Sequence, residues 1–121
     1  MRDIMLIRKG ISPDSVTFTA ASLDIPINVF VSGIGINPRT FMRWKSDGTL
    51  LNEVASEKVL RINRVLNRAI EVMGTKEDAV EWLQKPAFAL EDHTPLSILD
   101  TGTGEQIVMN LLNAIYYGVY L

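Results

Sequence analysis

Three times along this chain a side-chain oxygen is followed directly by proline: Ser12-Pro13, Asn37-Pro38 and Thr94-Pro95. The oxygen accepts from the N–H groups of a first helical turn, and proline at the first helical position lacks only an N–H that would have no partner there. Each pair therefore marks a helix start. Gly74-Thr75 ends one helix and caps the next, and Thr103-Gly104-Glu105-Gln106 has the spacing of a capping box. Alternation of period two is nearly absent. The exceptions, Ile4 to Ile7 and Val16 to Thr19, are β-branched and aromatic enough to admit a short strand or an irregular first helix. This punctuation predicts an all-α protein with helices at about 13–22, 26–33, 38–46, 53–73, 76–84, 95–100 and 104–117.

Composition bounds the rest. At 121 residues, 47% apolar and 21% charged, the chain is one domain or two small helical lobes, not a disordered segment. Cysteine is absent, which removes disulfide and thiolate chemistry, and no export signal opens the chain, so a cytoplasmic location is expected. The longest charge-free runs, 25–38 and 106–121, fall short of the roughly 18 residues a spanning helix needs, so no membrane is expected. Residues 1–75 hold ten Lys/Arg against seven Asp/Glu, net +3, and residues 76–121 hold two against seven, net -5. From Arg39 to Arg68 the balance is seven basic to three acidic, a local basic field.

The longest helix separates its faces at 100° per residue. Val59, Ile62, Leu66, Ala69, Ile70 and Met73 form an apolar stripe, and Arg61, Arg64 and Arg68 line the other side with Glu57 and Glu71 at ion-pairing distance along the helix. A solvated, ion-paired face accounts for that row better than a phosphate site does. Upstream, residues 27–46 fit a helix-turn-helix, with Phe30, Ile34, Ile36, Phe41 and Trp44 buried and Gly35 supplying a positive φ at the turn. This leaves Asn37, Arg39, Thr40, Met42, Arg43, Lys45 and Ser46 as the candidate DNA-binding residues, with Arg39 and Arg43 one turn apart. The competing reading is a helix-turn-helix kept as scaffold. Gly33-Ile34-Gly35 is not a dinucleotide loop, because Pro38 stands where the third glycine belongs.

Residues for catalysis are scarce. A single histidine, His93, and no cysteine exclude a Cys-His dyad and a two-histidine metal site within one chain. Glu91-Asp92-His93 reads as a polar surface loop, no G-x-S-x-G motif is present, and neither an enzyme nor a cofactor is expected.

The last helix carries no charge after Glu105. Ile107, Val108, Leu111, Leu112 and Ile115 form its expected core stripe, opposite Asn110, Asn113 and Tyr117 flanked by Met109 and Tyr116. A solvated face usually carries Lys and Glu. A face of Tyr, Met and Asn has the composition of an interface core, which a homodimer, burial within the fold or a different protein would each satisfy.

Over 82–118 the chain resembles the toxin-binding domain of the Xre/MbcA/ParS-type antitoxins, through Trp82, Leu83, Leu90, Pro95, Leu99, Thr101, Gly104, Tyr117 and Gly118. The resemblance extends upstream through an Xre-like helix-turn-helix and the arginine-bearing long helix. The link from Ala87 to His93 departs from the pattern, with Glu91 and Asp92 where glycines are common, and the chain is short before the helix-turn-helix.

The resemblance implies an Xre-like helix-turn-helix region over 1–74, with DNA binding as its expected role, and a small helical toxin-binding domain over 75–121. It also implies a type II antitoxin that occludes a RES-domain toxin, one that consumes NAD or transfers ADP-ribose from it. Repression of the shared operon through operator DNA would follow, in a homodimer or a higher hetero-oligomer. The expected toxin-binding residues are then Met109, Asn110, Asn113, Tyr116, Tyr117, Gly118, Val119, Tyr120 and Leu121, with Tyr120 and the terminal carboxylate reaching the toxin's cleft. The alternative is a stand-alone helix-turn-helix repressor whose C-terminal half dimerises.

Overall fold

The computed structural model describes residues 2–118. They form seven α-helices in chain order: α1 (Arg2–Lys9), α2 (Pro13–Ser22), α3 (Ile27–Gly33), α4 (Pro38–Asp47), α5 (Glu53–Met73), α6 (Lys76–Leu83) and α7 (Gly102–Tyr116). Single 3-10 turns at Phe88–Leu90 and Leu96–Ile98 join α6 to α7. The β pairing among the described residues is one isolated bridge, Ala87 to His93. Two compact units result, Met1–Leu60 and Arg61–Leu121, and the line between them falls inside α5. The sequence boundary after residue 74 instead follows the end of α5, where Gly74 takes φ +96°. Among the described residues no single helix is long and apolar enough to cross a membrane.

In the first unit α2, α3 and α4 pack on one another around Val16, Leu23, Val31 and Phe41. Ser12 caps α2 by accepting from the Ser15 N–H, and Asn37 caps α4 by accepting from the Arg39 N–H. Neither stretch that admitted a strand forms one. Ile4 to Ile7 lies within α1, where Asp3 in the first turn and Arg8 and Lys9 in the last suit the helix dipole. Val16 to Thr19 lies within α2, where the Thr17 and Thr19 hydroxyls donate to the carbonyls of Pro13 and Ser15 at 3.2 and 3.0 Å. Those bonds reconcile β-branched residues with the helix. Buried Ser56 accepts from the Ile11 N–H at 3.1 Å, and Gly10 approaches Leu51 so closely that a Cβ would lie 2.3 Å from its carbonyl oxygen.

In the second unit the Thr75 hydroxyl accepts from the Asp78 N–H and starts α6, which buries Ala79, Val80 and Leu83. These join Leu90, Leu99, Val108 and Leu112 in the core. The helix expected at 95–100 is only the 3-10 turn, because Thr101 already caps α7. On α5 the buried side includes Val65 as well as the expected Ile62, Leu66 and Ala69, and it leaves Ile70 and Met73 half-buried.

Candidate partner interface

Arg61, Arg64 and Arg68 recur at i, i+3 and i+7, on one side of α5. They are not the solvated face that their ion-pairing pattern suggested. Arg61 is only 6% exposed, and its Nη1 donates to the Leu99 carbonyl at 3.1 Å. Arg64 donates from Nε and Nη2 to Oε2 and Oε1 of Glu105, at 2.8 and 3.0 Å. Arg68 donates from Nε and Nη2 to Asn113 Oδ1 at 3.1 and 3.0 Å, and from Nη1 to Glu71 at 3.1 Å. Its guanidinium carbon lies 4.6 Å from the centroid of the Tyr116 ring. The pair with Glu71 along the helix is therefore present, but the row's main contacts run to Leu99 ahead of α7 and to the first and last turns of α7. Arginine suits this place because its stem packs as apolar surface while its planar head reaches a carboxylate and an amide.

The entry to α7 explains the spacing Thr101-x-x-Gly104. Thr101, not Thr103, is the cap: its hydroxyl accepts from the Gly104 N–H at 3.0 Å. Gly104 permits contact with the preceding turn, since a Cβ there would fall 1.6 Å from the Ile98 carbonyl oxygen. At the far end Gly118 takes φ +70° and donates its N–H to the Ile115 carbonyl, closing the helix in the left-handed conformation.

Between these ends Gly104, Val108 and Leu112 form the buried line. Ile107, expected in the core, lies beside that line and is 46% exposed, while Leu111 and Ile115 are half-buried. The outer side carries exposed Asn110, Tyr116, Tyr117 and Gly118, with Met109 and Asn113 half-buried. Tyr116 and Tyr117 are 54% and 72% exposed, their rings edge to face at 5.0 Å between centroids. Gln106 Nε2 donates to Asn110 Oδ1 at 2.9 Å. Val119, Tyr120 and Leu121 lie outside the described residues.

The link from Ala87 to His93 is a closed turn. Ala87 donates to the His93 carbonyl, Asp92 donates to the Ala87 carbonyl, and Phe88–Leu90 turns between them. Glu91 and Asp92 take φ +55° and +64°, the left-handed conformation that glycine adopts most readily. Phe88 stands on this turn 94% exposed. His93 Nδ1 lies 3.1 Å from the Leu90 carbonyl oxygen, which can only accept, so Nδ1 carries the proton.

In the first unit Phe30, Ile34, Ile36 and Phe41 are buried and Trp44 is half-buried. Gly35 takes φ +87° at the turn between α3 and α4. Asn37, Arg39, Met42, Arg43, Lys45 and Ser46 are exposed and Thr40 is half-buried.

The outer side of α7 is thus an exposed helix face of tyrosine and asparagine without charge. Residues 68–118 match the antitoxin Xre/MbcA/ParS C-terminal toxin-binding domain. Antitoxin Xre of Photorhabdus laumondii subsp. laumondii is 34% identical over 86 residues, 70% of this chain and 58% of the relative. Antitoxin Xre of Yersinia enterocolitica is 28% identical over 115 residues, 94% of this chain and 78% of the relative. The Prs ADP-ribosylating antitoxin of a Sphingobium species is 25% identical over 126 aligned positions, 97% of this chain and 79% of the relative. Residues 68–118 thus match the toxin-binding domain of this antitoxin family, and the similarity to the three relatives extends over more of the chain. The chain spans just under three-fifths of the Photorhabdus relative's length.

Proposed function

We propose that this chain is a cytoplasmic, non-catalytic antitoxin that binds and occludes a RES-domain toxin through the outer side of α7. The observation that carries this reading is the Tyr116–Tyr117 pair, two exposed aromatic rings on a helix side without charge, inside the segment that matches a toxin-binding domain. Tyrosine is enriched among the residues that dominate binding energy, and Lys and Glu are depleted from interface cores. Met109, Asn110, Asn113 and Gly118 complete the described part of the face. The name of the Sphingobium relative supports a partner that handles ADP-ribose, and hence NAD.

Exposed Arg39, Arg43 and Lys45 on a capped helix that follows a glycine turn support operator binding and autorepression. With three cations per copy, that binding is weak and salt-sensitive unless the protein acts as a dimer or a larger complex with its toxin.

The experiment is co-expression with the product of the adjacent open reading frame. That product alone should arrest growth and deplete NAD, and this chain should restore both and co-purify with it. Co-purification without recovery of NAD overturns the occlusion reading. The stand-alone repressor reading predicts that Arg39→Ala/Arg43→Ala removes every phenotype, whereas the antitoxin reading predicts that neutralisation survives.

A further inference from the structure

Arg68 does more than brace α7. An arginine guanidinium has donors and no acceptor, so two of its N–H groups on Asn113 can meet only the amide oxygen. The orientation of the Asn113 amide is therefore set by chemistry: Oδ1 faces Arg68, and the NH2 group is turned away from it. No acceptor for that NH2 is present among the described residues, although Asn113 is half-buried. The same guanidinium lies against the Tyr116 ring, and Tyr116 meets Tyr117 edge to face. One side chain of α5 thus contacts two residues of the outer side of α7, Asn113 and Tyr116, and Tyr116 in turn meets Tyr117.

We infer that Arg68 is a positioning residue that makes Asn113 a hydrogen-bond donor toward the partner, so that this face selects a main-chain carbonyl or carboxylate lying beside a surface that receives Tyr116 and Tyr117. The inference rests on the toxin-binding reading and adds the chemistry of the partner group. A charge-free helix side offers few polar contacts, so the sign of each one matters. An acceptor at the partner meets a prearranged donor at Asn113, while a donor there meets an amide whose oxygen is already held by Arg68. A buried, unmatched polar group weakens a complex more than a neutral contact strengthens it.

Asn113→Asp tests this without loss of the fold. Aspartate keeps an oxygen toward Arg68, now as an ion pair, but replaces the outward NH2 with a second oxygen. The probe is the toxin from the adjacent open reading frame, inactivated at its active site, with dissociation followed by surface plasmon resonance. The expected result is an unfolding midpoint at or above that of the parent and dissociation faster by about tenfold or more. Arg68→Gln should also speed dissociation, and combining it with Asn113→Asp should add less than the product of the two, because both act on one group. Unchanged dissociation in Asn113→Asp, with Tyr116→Ala and Tyr117→Ala still weakening the complex, overturns the donor assignment and leaves the toxin-binding face standing. Unchanged dissociation in all four single variants overturns that face as well.

Discussion

Arg64 holds Glu105 through two parallel N–H···O bonds of 2.8 and 3.0 Å, joining α5 to the first turn of α7. The Nε of buried Arg61 lies 3.8 Å from the same carboxylate. One glutamate thus offsets two arginine charges near the entry of the helix that carries the candidate interface. Glu105→Gln keeps the shape and removes the charge, and it should lower unfolding free energy by about 1–3 kcal/mol. Urea unfolding of the free protein measures this; an unchanged midpoint would show that solvent, not Glu105, balances the arginines.

Gly104 and Thr101 act at the same turn with unequal force. Thr101→Ala removes one cap and should cost about 1 kcal/mol. Gly104→Ala places a carbon where the Ile98 carbonyl oxygen already stands, so it should cost more than about 4 kcal/mol or prevent folding of the second unit. Circular dichroism and urea unfolding of both variants would order them.

Glu91 and Asp92 hold left-handed backbone conformations in the turn that presents Phe88. Glycine at such a position relieves about 1–2 kcal/mol of steric cost and returns about 0.5–1 kcal/mol as added freedom of the unfolded chain. Glu91→Gly should therefore raise stability by about 0.5–1 kcal/mol. A lower unfolding midpoint would show that the carboxylate has a compensating contact.

Tyr117 is 72% exposed, so Tyr117→Ala should leave thermal unfolding unchanged. If its ring is buried by the toxin, affinity should fall by about 2 kcal/mol, roughly thirtyfold, measured by titration calorimetry.

Arg39→Ala/Arg43→Ala should abolish operator retention in a gel-shift assay while leaving affinity for the toxin within about twofold of the parent. Parallel losses in both assays would place DNA and toxin binding on one coupled element.

Much of the fold was legible because helix ends are local. Ser12, Asn37 and Thr75 cap helices through bonds that reach two or three residues ahead, and proline acts on its own turn. The errors fell where two local solutions competed. Thr101 and Thr103 both precede a plausible first turn, and the close approach of the Ile98 carbonyl to Gly104 accompanies the choice of Thr101. The closed turn after Ala87 was hidden because glutamate and aspartate stand where the left-handed backbone would announce itself by glycine.

By itself, the sequence determined that the chain is all-α, where most of its helices begin, and that its C-terminal segment carries the family's pattern, since capping, periodicity and residue order are properties of neighbours along the chain. Only the tertiary structure decided what the arginines of α5 do. Periodicity says that Arg61, Arg64 and Arg68 share a face, but not what lies across from it. Leu99, Glu105 and Asn113 stand there, from 38 to 45 residues further along the chain. A pairing at that separation depends on how α7 packs, which is set by the shape of the whole unit and leaves no local trace in the sequence.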